Sequence, residues 1–358
     1  APEDVRIFHK ECTSLAKAGY VVYLVERGIS YEKNGVNIIG VGEPKGGRLS
    51  RMTEFSKRVY KAALKVNADI YHFHDPELLP YGIKLKKRGK KVIFDSHEYT
   101  TGAILEKTWM PEKIRKIVAN IFLLYERSVC KKFDAIISVA PHLVDYYNHI
   151  GKNVIQITNY PICNEYICPD YCSKRIVFAG GIKPEWNHSN IIKAISHIPD
   201  CEYILCGSVD DNYDTELKRI DGWKKVNFMG RVPHARVAEI MKTCSIGIAL
   251  LSPGNNTDGE NGTLGNTKIF EEMMAGLPIL CTCFKSWKCI VEKFKCGICV
   301  DPDNIEEITK AIRYLLDNPD VAQEMGENGR RAIKKEFNWS VEEKKLLALY
   351  EDLVKEAK

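Results

Sequence analysis

The feature that most constrains this chain is an alternation. Short runs rich in β-branched and other apolar residues recur along its length, each separated from the next by a stretch whose apolar positions have helical spacing. Parallel strands are joined by helical crossovers and read as near-continuous apolar runs, so the alternation predicts parallel sheets wound with helices. In the first half the predicted strands are 21–26, 36–40, 70–73, 91–94, 135–139 and 154–158, with helices over 6–18, 51–67, 77–88, 112–131 and 141–149. In the second half they are 175–179, 202–206, 226–229, 246–250, 279–283 and 298–300, with helices near 187–197, 213–220, 234–243, 266–275, 304–317, 319–335 and 340–356. An aperiodic segment, 159–173, carries Pro161 and Pro169 and marks a boundary. At 358 residues the chain exceeds one compact core and fits two α/β, doubly wound domains. Residues 1–4 lead straight into a helix. By analogy with βαβ units, a preceding strand and its Gly- or His-containing loop, roughly 10 to 20 residues, are expected ahead of it, against the plainer reading of a start at Ala1.

Composition removes several classes. With 45% hydrophobic and 28% charged residues, disordered and fibrous readings drop out. No stretch approaches the roughly 20 apolar residues of a membrane span, and Glu3, Asp4, Arg6, Lys10, Glu11 and Lys17 interrupt the start, so neither a transmembrane helix nor a signal peptide is expected. The thirteen cysteines are odd in number and lack a framework of spacings, which points to buried thiols in a reducing, cytoplasmic setting. Cys163, Cys168 and Cys172, then Cys281 and Cys283, then Cys296 and Cys299 are the tightest groups; no second C-x-x-C supplies the rest of a zinc site. Net charge is +5, yet residues 1–160 hold 26 Lys and Arg against 17 Asp and Glu, while residues 161–358 hold 26 against 30. The basic run Lys84, Lys86, Lys87, Arg88, Lys90 and Lys91 is followed by a helical pattern of Ile114, Ile117, Val118, Ile121, Phe122, Tyr125 and Val129. Such a surface suits an anionic membrane face or a phosphorylated acceptor, the bland alternative being a solvated helix end. Nucleic acid is not expected, because no aromatic residues interleave with the basic run and no nucleic-acid-binding motif is present.

In open α/β sheets ligands sit beyond the carboxyl ends of strands, so the chemistry is sought there. One predicted strand ends in His72-Phe73-His74-Asp75-Pro76-Glu77 and another in Asp95-Ser96-His97-Glu98. A metal site from His72, His74, Asp75 and His97 is not expected, on the premise that His72 and His74 take opposite faces of a strand. In the second half, a strand runs into Gly180-Gly181 before a helix, a turn that lets a phosphate approach the backbone. Asn266-Thr267-Lys268 opens another helix, Gly276-Leu277-Pro278 closes it, and Glu271 sits among apolar neighbours as a carboxylate needing a partner. Vicinal ribose hydroxyls are such a partner, with a cap or salt bridge as the structural alternative.

These segments, in order, resemble the GT-B glycosyltransferases, specifically the retaining glycosyltransferase family 4 (glycosyl transferases group 1). The matching stretches are Asp4 to Lys10, His72 to Leu79, Lys90 to Glu98, Lys268 to Pro278, Cys296 to Pro302, Met325 to Arg330 and Phe337 to Trp339. The resemblance implies two Rossmann-like domains facing a cleft: an N-terminal acceptor domain, 1–160 plus 340–358, and a C-terminal donor domain, 161–339. It implies retaining transfer from a nucleotide-diphosphate sugar, UDP or GDP being the favoured carriers, to a saccharide or lipid-linked acceptor in bacterial surface polysaccharide or glycolipid synthesis, without a metal or other cofactor. In the family the glutamate matching Glu271 binds the ribose, and the histidine matching His97 lies near the donor sugar and pyrophosphate.

Two family positions depart. The first Glu of E-x7-E falls on Thr263, and the Arg and Lys that hold the diphosphate fall on Gly181 and Trp186. Lys268, then Lys183, with the helix N-terminal amides near Asn266 and Thr267, are the expected substitutes. The candidates are therefore His97 and Lys268 for catalysis, Gly180, Gly181, Lys183, Asn266, Thr267, Lys268 and Glu271 for the donor, and Arg6, His74, Asp75 and Glu98 on the acceptor side. For a double displacement, Asp75, Asp95 and Glu98 are the available carboxylates; a front-face route needs none. A non-catalytic nucleotide-sugar-binding protein and a nucleotide-sugar 2-epimerase are the competing readings.

Overall fold

The computed structural model describes residues 3–47, 50–97, 99–107, 109–151, 153–163, 168–254 and 257–356. The chain divides into two compact units, 1–159 with 339–358, and 160–338.

The first unit opens on a π-helical segment, Val5–Cys12, that runs into α1 (Thr13–Lys17). Asp4 caps it by accepting from the Arg6 and Ile7 amides at 2.9 and 3.0 Å. Strands β1 (Val22–Glu26), β2 (Tyr31–Lys33) and β3 (Val36–Gly40) form one sheet, order β1-β3-β2. The β2–β3 pair is antiparallel and was not expected; Asn34 and Gly35, at φ 53° and 75°, make its two-residue turn. After α2 (Ser56–Val66) come β4 (Ile70–Phe73), α3 (Leu79–Lys86), β5 (Lys91–Ser96), α4 (Thr100–Leu105), α5 (Glu112–Cys130), β6 (Ala135–Ser138), α6 (Pro141–Asn148) and β7 (Val154–Gln156). Strands β4 to β7 form a second, wholly parallel sheet in chain order, with Phe73 beside Phe94 and Phe94 beside Ile136. Phe73, Phe94, Phe133 and Ile136 share one core on this sheet.

The second unit carries β8 (Arg175–Ala179), α7 (His188–Ser196), β9 (Glu202–Cys206), α8 (Asp211–Lys218), β10 (Val226–Gly230), α9 (His234–Lys242), β11 (Ile246–Ala249), α10 (Lys268–Ala275), β12 (Ile279–Thr282), α11 (Lys285–Phe294), β13 (Gly297–Val300), α12 (Ile305–Asp317) and α13 (Pro319–Lys335). Its six strands are all parallel, in the order β10-β9-β8-β11-β12-β13. That is a doubly wound sheet, and its central strands are apolar on both faces because helices cover both. Gly276, at φ 82°, caps α10, and the Tyr171 hydroxyl donates to its carbonyl at 2.7 Å.

The last helix, α14 (Trp339–Lys355), belongs to the first unit. Trp339, Leu346, Leu349, Tyr350 and Leu353 join Ile93 and Ile137 in one core cluster. The Trp339 indole N–H donates to Ser14 Oγ at 2.9 Å, and Glu342 accepts from the Thr158 amide at 2.8 Å.

Helices α4 and α11 were not foreseen. Trp287, Ile290, Val291 and Phe294 do follow helical spacing within α11. All thirteen cysteines are free, and Cys163, Cys168, Cys172 and Cys283 are exposed, which corrects the expectation of buried thiols there. No helix among the described residues is long and apolar enough to cross a membrane.

Candidate functional site

In the second unit the strand order reverses at β8, with β9 on one side and β11 on the other. A ligand of a doubly wound sheet sits beyond the carboxyl ends of the strands at such a reversal. Here β8 runs into Gly180 and Gly181. The Asn187 side-chain amide donates to the Leu250 carbonyl at 3.0 Å and to Ser252 Oγ at 2.8 Å, tying this turn to the one after β11. Lys268, the first residue of α10, reaches into the same place. Its ammonium donates to the Ala179 carbonyl at 2.7 Å and stands 4.8 Å from the Phe178 ring centre and 5.2 Å from that of Trp186. A Cβ on Gly180 would fall 1.9 Å from the Lys268 nitrogen, so glycine is what admits the lysine. Burial lowers the Lys268 pKa, with Glu271 and Glu272 pulling the other way. A cation is thus present at the strand-to-helix turn, as the substitution argument requires, but it is held by protein groups.

Asn266 Oδ1 accepts from the Lys268 amide at 3.2 Å, and the Thr267 hydroxyl donates to Glu271 Oε1 at 3.1 Å. Glu271 is half-buried at the start of α10; the enclosed carboxylate is its neighbour Glu272, 2% exposed, which burial pushes well above the ordinary range. Glu272 leans on β11, where a Cβ on Gly247 would meet its side chain at 2.7 Å. The buried positions Ile269, Glu272, Met273 and Gly276 follow helical spacing, which was the available signal for Glu272. Lys183 is exposed and pairs at 3.5 Å with Glu185, a surface contact of little energetic weight. Gly181 is open: a Cβ there would meet only Lys183 Cε, at 3.8 Å. Trp186 is buried, and Thr263 Oγ1 accepts from the Gly265 amide at 3.0 Å.

In the first unit the predicted residues divide into an interior group and a surface group. Arg6, an acceptor-side candidate, is interior. Its guanidinium donates to Asp95 Oδ2 at 2.6 Å and to the Ile157 carbonyl at 3.0 Å, and lies 3.0 Å from Glu11 Oε1. It ties the π-helical segment to β5 and the residue after β7 from a buried position, whereas an acceptor-side residue is expected at the surface. Asp95 is fully buried. Burial alone would raise its pKa, but Arg6 and the two histidines outweigh that and hold it well below the carboxylate range. It is an ionised carboxylate held inside the unit by Arg6. Burial pushes Glu11 the opposite way, with Asp95 adding to the effect.

His72 and His74 lie over the same group. Their rings stack at 4.7 Å and 24°, which corrects the premise that they diverge: positions two apart on a strand share a face. His72 Nδ1 is 3.1 Å from the Tyr350 hydroxyl of α14, a partner 278 positions away that no local pattern signals. Burial lowers the His74 pKa well below the imidazole range. His97 is exposed and its ring is 6.2 Å from that of His74, so three imidazoles run from the interior to the surface. Asp75 is exposed, and its carbonyl accepts from the Leu78 amide at 2.9 Å. Glu98 lies outside the described residues.

Two sequence profiles match this chain, one to each unit. Residues 5–159 match Glycosyltransferase Family 4 and residues 172–332 match Glycosyl transferases group 1. The chain belongs to the GT-B glycosyltransferases. This glycosyltransferase is 27% identical over 186 residues to an uncharacterized glycosyltransferase of Methanocaldococcus jannaschii, a match covering 50% of this chain and 45% of that protein. It is 23% identical over 177 residues to a GDP-mannose-dependent monoacylated α-(1-6)-phosphatidylinositol monomannoside mannosyltransferase of Corynebacterium glutamicum, covering 48% and 43%. The matches thus span less than half the length of either curated relative. Among solved structures, sucrose-phosphate synthase of Thermosynechococcus elongatus superposes with a TM-score of 0.75 at 16% identity, covering 96% of this chain and 91% of that one. HepE of Anabaena, solved with UDP and glucose, superposes with a TM-score of 0.68 at 15% identity, covering 89% and 87%. At those identities the likeness establishes the fold.

Proposed function

We propose that this glycosyltransferase moves a sugar from a nucleotide-diphosphate donor, UDP- or GDP-linked, to a saccharide or lipid-linked acceptor, with retention and without a catalytic metal. The observation that carries the reading is the convergence at the β8 turn: Gly180, the Lys268 ammonium and the start of α10 with Thr267 and Glu271 meet where a doubly wound sheet takes its nucleotide. The UDP of the HepE structure and the GDP-mannose in the name of the Corynebacterium relative support a donor of that class. Glu271 is assigned to the ribose hydroxyls, and Lys268 with the amides near Asn266 and Thr267 to the pyrophosphate. In the front-face route the acceptor oxygen bonds to the anomeric carbon on the side from which the phosphate departs, and a phosphate oxygen takes the acceptor's proton. The protein then positions both substrates and offsets charge, and His97 is the exposed imidazole assigned to that step.

The test is a thermal-shift panel of UDP, GDP, ADP and CMP and their sugars on wild type and Glu271→Ala. A ligand at about 100 times its Kd stabilises the folded state by ~2.7 kcal/mol, roughly 5 to 10 °C for a unit of this size. One nucleotide should shift the wild type and not the variant, and its sugar should be transferred or hydrolysed in the presence of a chelator. Binding without turnover would favour the non-catalytic reading, for which Thr263, with its hydroxyl turned to the Gly265 amide, is the specific observation.

A membrane-face site of action belongs to the same proposal. Helix α5 turns Ile114, Ile117, Val118, Ile121, Leu124 and Tyr125 outward, Ile121 and Leu124 at 63% and 67% exposure, beside Lys113, Arg115 and Lys116. An apolar stripe edged with cations suits an anionic lipid surface.

A further inference from the structure

Glu11, His72, His74 and Asp95 form a cluster inside the first unit in which one ligand atom from each lies within 4.8 Å of the others. Asp95 is 0% and Glu11 2% exposed. Four of the cluster's buried polar atoms have neither a hydrogen bond nor a close ion pair with Arg6 among the described residues: Glu11 Oε2, His72 Nε2, His74 Nδ1 and Asp95 Oδ1. Buried polar atoms are nearly always satisfied, so four together call for an occupant.

The separations identify it. His74 can offer one nitrogen to an ion: Nδ1 is 3.5 Å from Asp95 Oδ2, which is itself 3.7 Å from His72 Nε2, while the other nitrogen, Nε2, is 3.4 Å from Glu11 Oε2. These are too long for hydrogen bonds. They are somewhat longer than the roughly 3.3 Å between neighbouring donors around a tetrahedral ion with bonds of about 2.0–2.1 Å, and one atom from each of the four residues lies within 4.8 Å of the others, a spacing that a bound ion would draw in. A shared proton would satisfy one pair of atoms; a single cation satisfies one atom of every residue.

The surroundings are those of a built site. Tyr350 holds His72 by Nδ1 and leaves Nε2 turned inward. Arg6 donates to Asp95 Oδ2, the oxygen that both imidazoles also approach, and faces Glu11 Oε1, so that Asp95 Oδ1 and Glu11 Oε2 are the oxygens it leaves without a hydrogen bond. Such outer partners fix the orientation of metal ligands.

We propose that Glu11, His72, His74 and Asp95 bind one divalent transition-metal ion, of the zinc class, as a closed structural site in the first unit. Two imidazoles, each about a tenth exposed, with two buried carboxylates are a nitrogen-and-oxygen donor set that such an ion takes. The four residues belong to the first unit and the β8 turn to the second, so the proposal stands or falls independently of the donor assignment.

Elemental analysis of the full-length protein, stripped and reloaded with zinc, should find close to one ion per chain. Cobalt in place of zinc should give the intense visible band of four-coordinate Co²⁺. His72→Gln and Glu11→Gln should each abolish it, while His149→Gln, at an exposed position, should leave it intact. X-ray absorption on the zinc-loaded wild type, which needs no variant, should show only nitrogen and oxygen ligands, imidazole among them. A colourless cobalt titration of the folded wild type would overturn the proposal and assign the unsatisfied atoms to a shared proton. Sulfur ligation, or cobalt retained by both variants, would overturn it by placing the ion on the cysteines or elsewhere.

Discussion

At Gly181 the family places a phosphate-binding cation, and the chain has an open position instead. A Cβ meets nothing closer than 3.8 Å there, and the one contact is the far end of an exposed lysine. Gly181→Arg should therefore fold as the wild type does and add a guanidinium beside the β8 turn. Charge-assisted bonds of that kind contribute about 1.5–3 kcal/mol, so the nucleotide's Kd should fall by roughly tenfold or more in a titration. An unchanged Kd would place the pyrophosphate elsewhere. His188 sets a different residue-level behaviour. Its Nδ1 is 2.9 Å from the Tyr203 hydroxyl, and burial, aided by Lys268, takes its pKa down to about 3. The unfolded chain protonates this histidine near pH 6.5, whereas the folded one stays neutral to about pH 3. The unfolded state thus binds more protons in that window, and its contribution to stability falls as pH drops from 6.5 towards 3, by at most about 1.4 kcal/mol per pH unit. Urea midpoints between pH 7 and pH 4 should decline, and His188→Gln should flatten the decline.

At the scale of elements, what the sequence made legible depended on how long each periodic signal ran. The six strands of the second unit and its long helices announce themselves because covered parallel strands are continuously apolar and their crossovers amphipathic. Short elements do not: β2 has three residues and a half-exposed face, and only the Asn34-Gly35 turn betrays it. Helix α4, six residues long, offers too few turns to show a period. Of the candidate site, the sequence shows which segments carry polar groups at strand and helix ends but not how deeply each side chain lies. Glu271 was read as enclosed when Glu272 is, and the pairing of Arg6 with Asp95 spans 89 positions, a separation no local pattern encodes. Helix α5 carries the element-scale prediction. An outward apolar stripe of six residues should drive binding to vesicles containing anionic lipid, measured by flotation. Ile117→Asp with Ile121→Asp should remove most of it, since a charge takes the place of an inserted side chain; added salt should weaken it as screening shortens the reach of the flanking lysines.

The molecule as a whole is two units of unequal continuity: the second is one uninterrupted stretch, while the first is closed by a helix from the far end of the chain. That helix contributes five large side chains to the first unit's core. At about 1.5–3 kcal/mol each they amount to roughly 7–15 kcal/mol, as much as the total stability of a typical domain. A chain ending at Asn338 should therefore lose the first unit and keep the second. Limited proteolysis read by mass spectrometry should find a resistant core within 160–338 and rapid digestion before it. Survival of the first unit in that truncated chain would contradict the packing described for α14. The same helix also imposes an order in time. A ribosome adds roughly 5–20 residues per second, so residues 160–338 take about 10 to 35 s to emerge after the first unit's earlier segments. During that interval the nascent first unit waits, its half-made core uncovered and in need of chaperone shelter, while the unit begun second has every residue it needs to finish first.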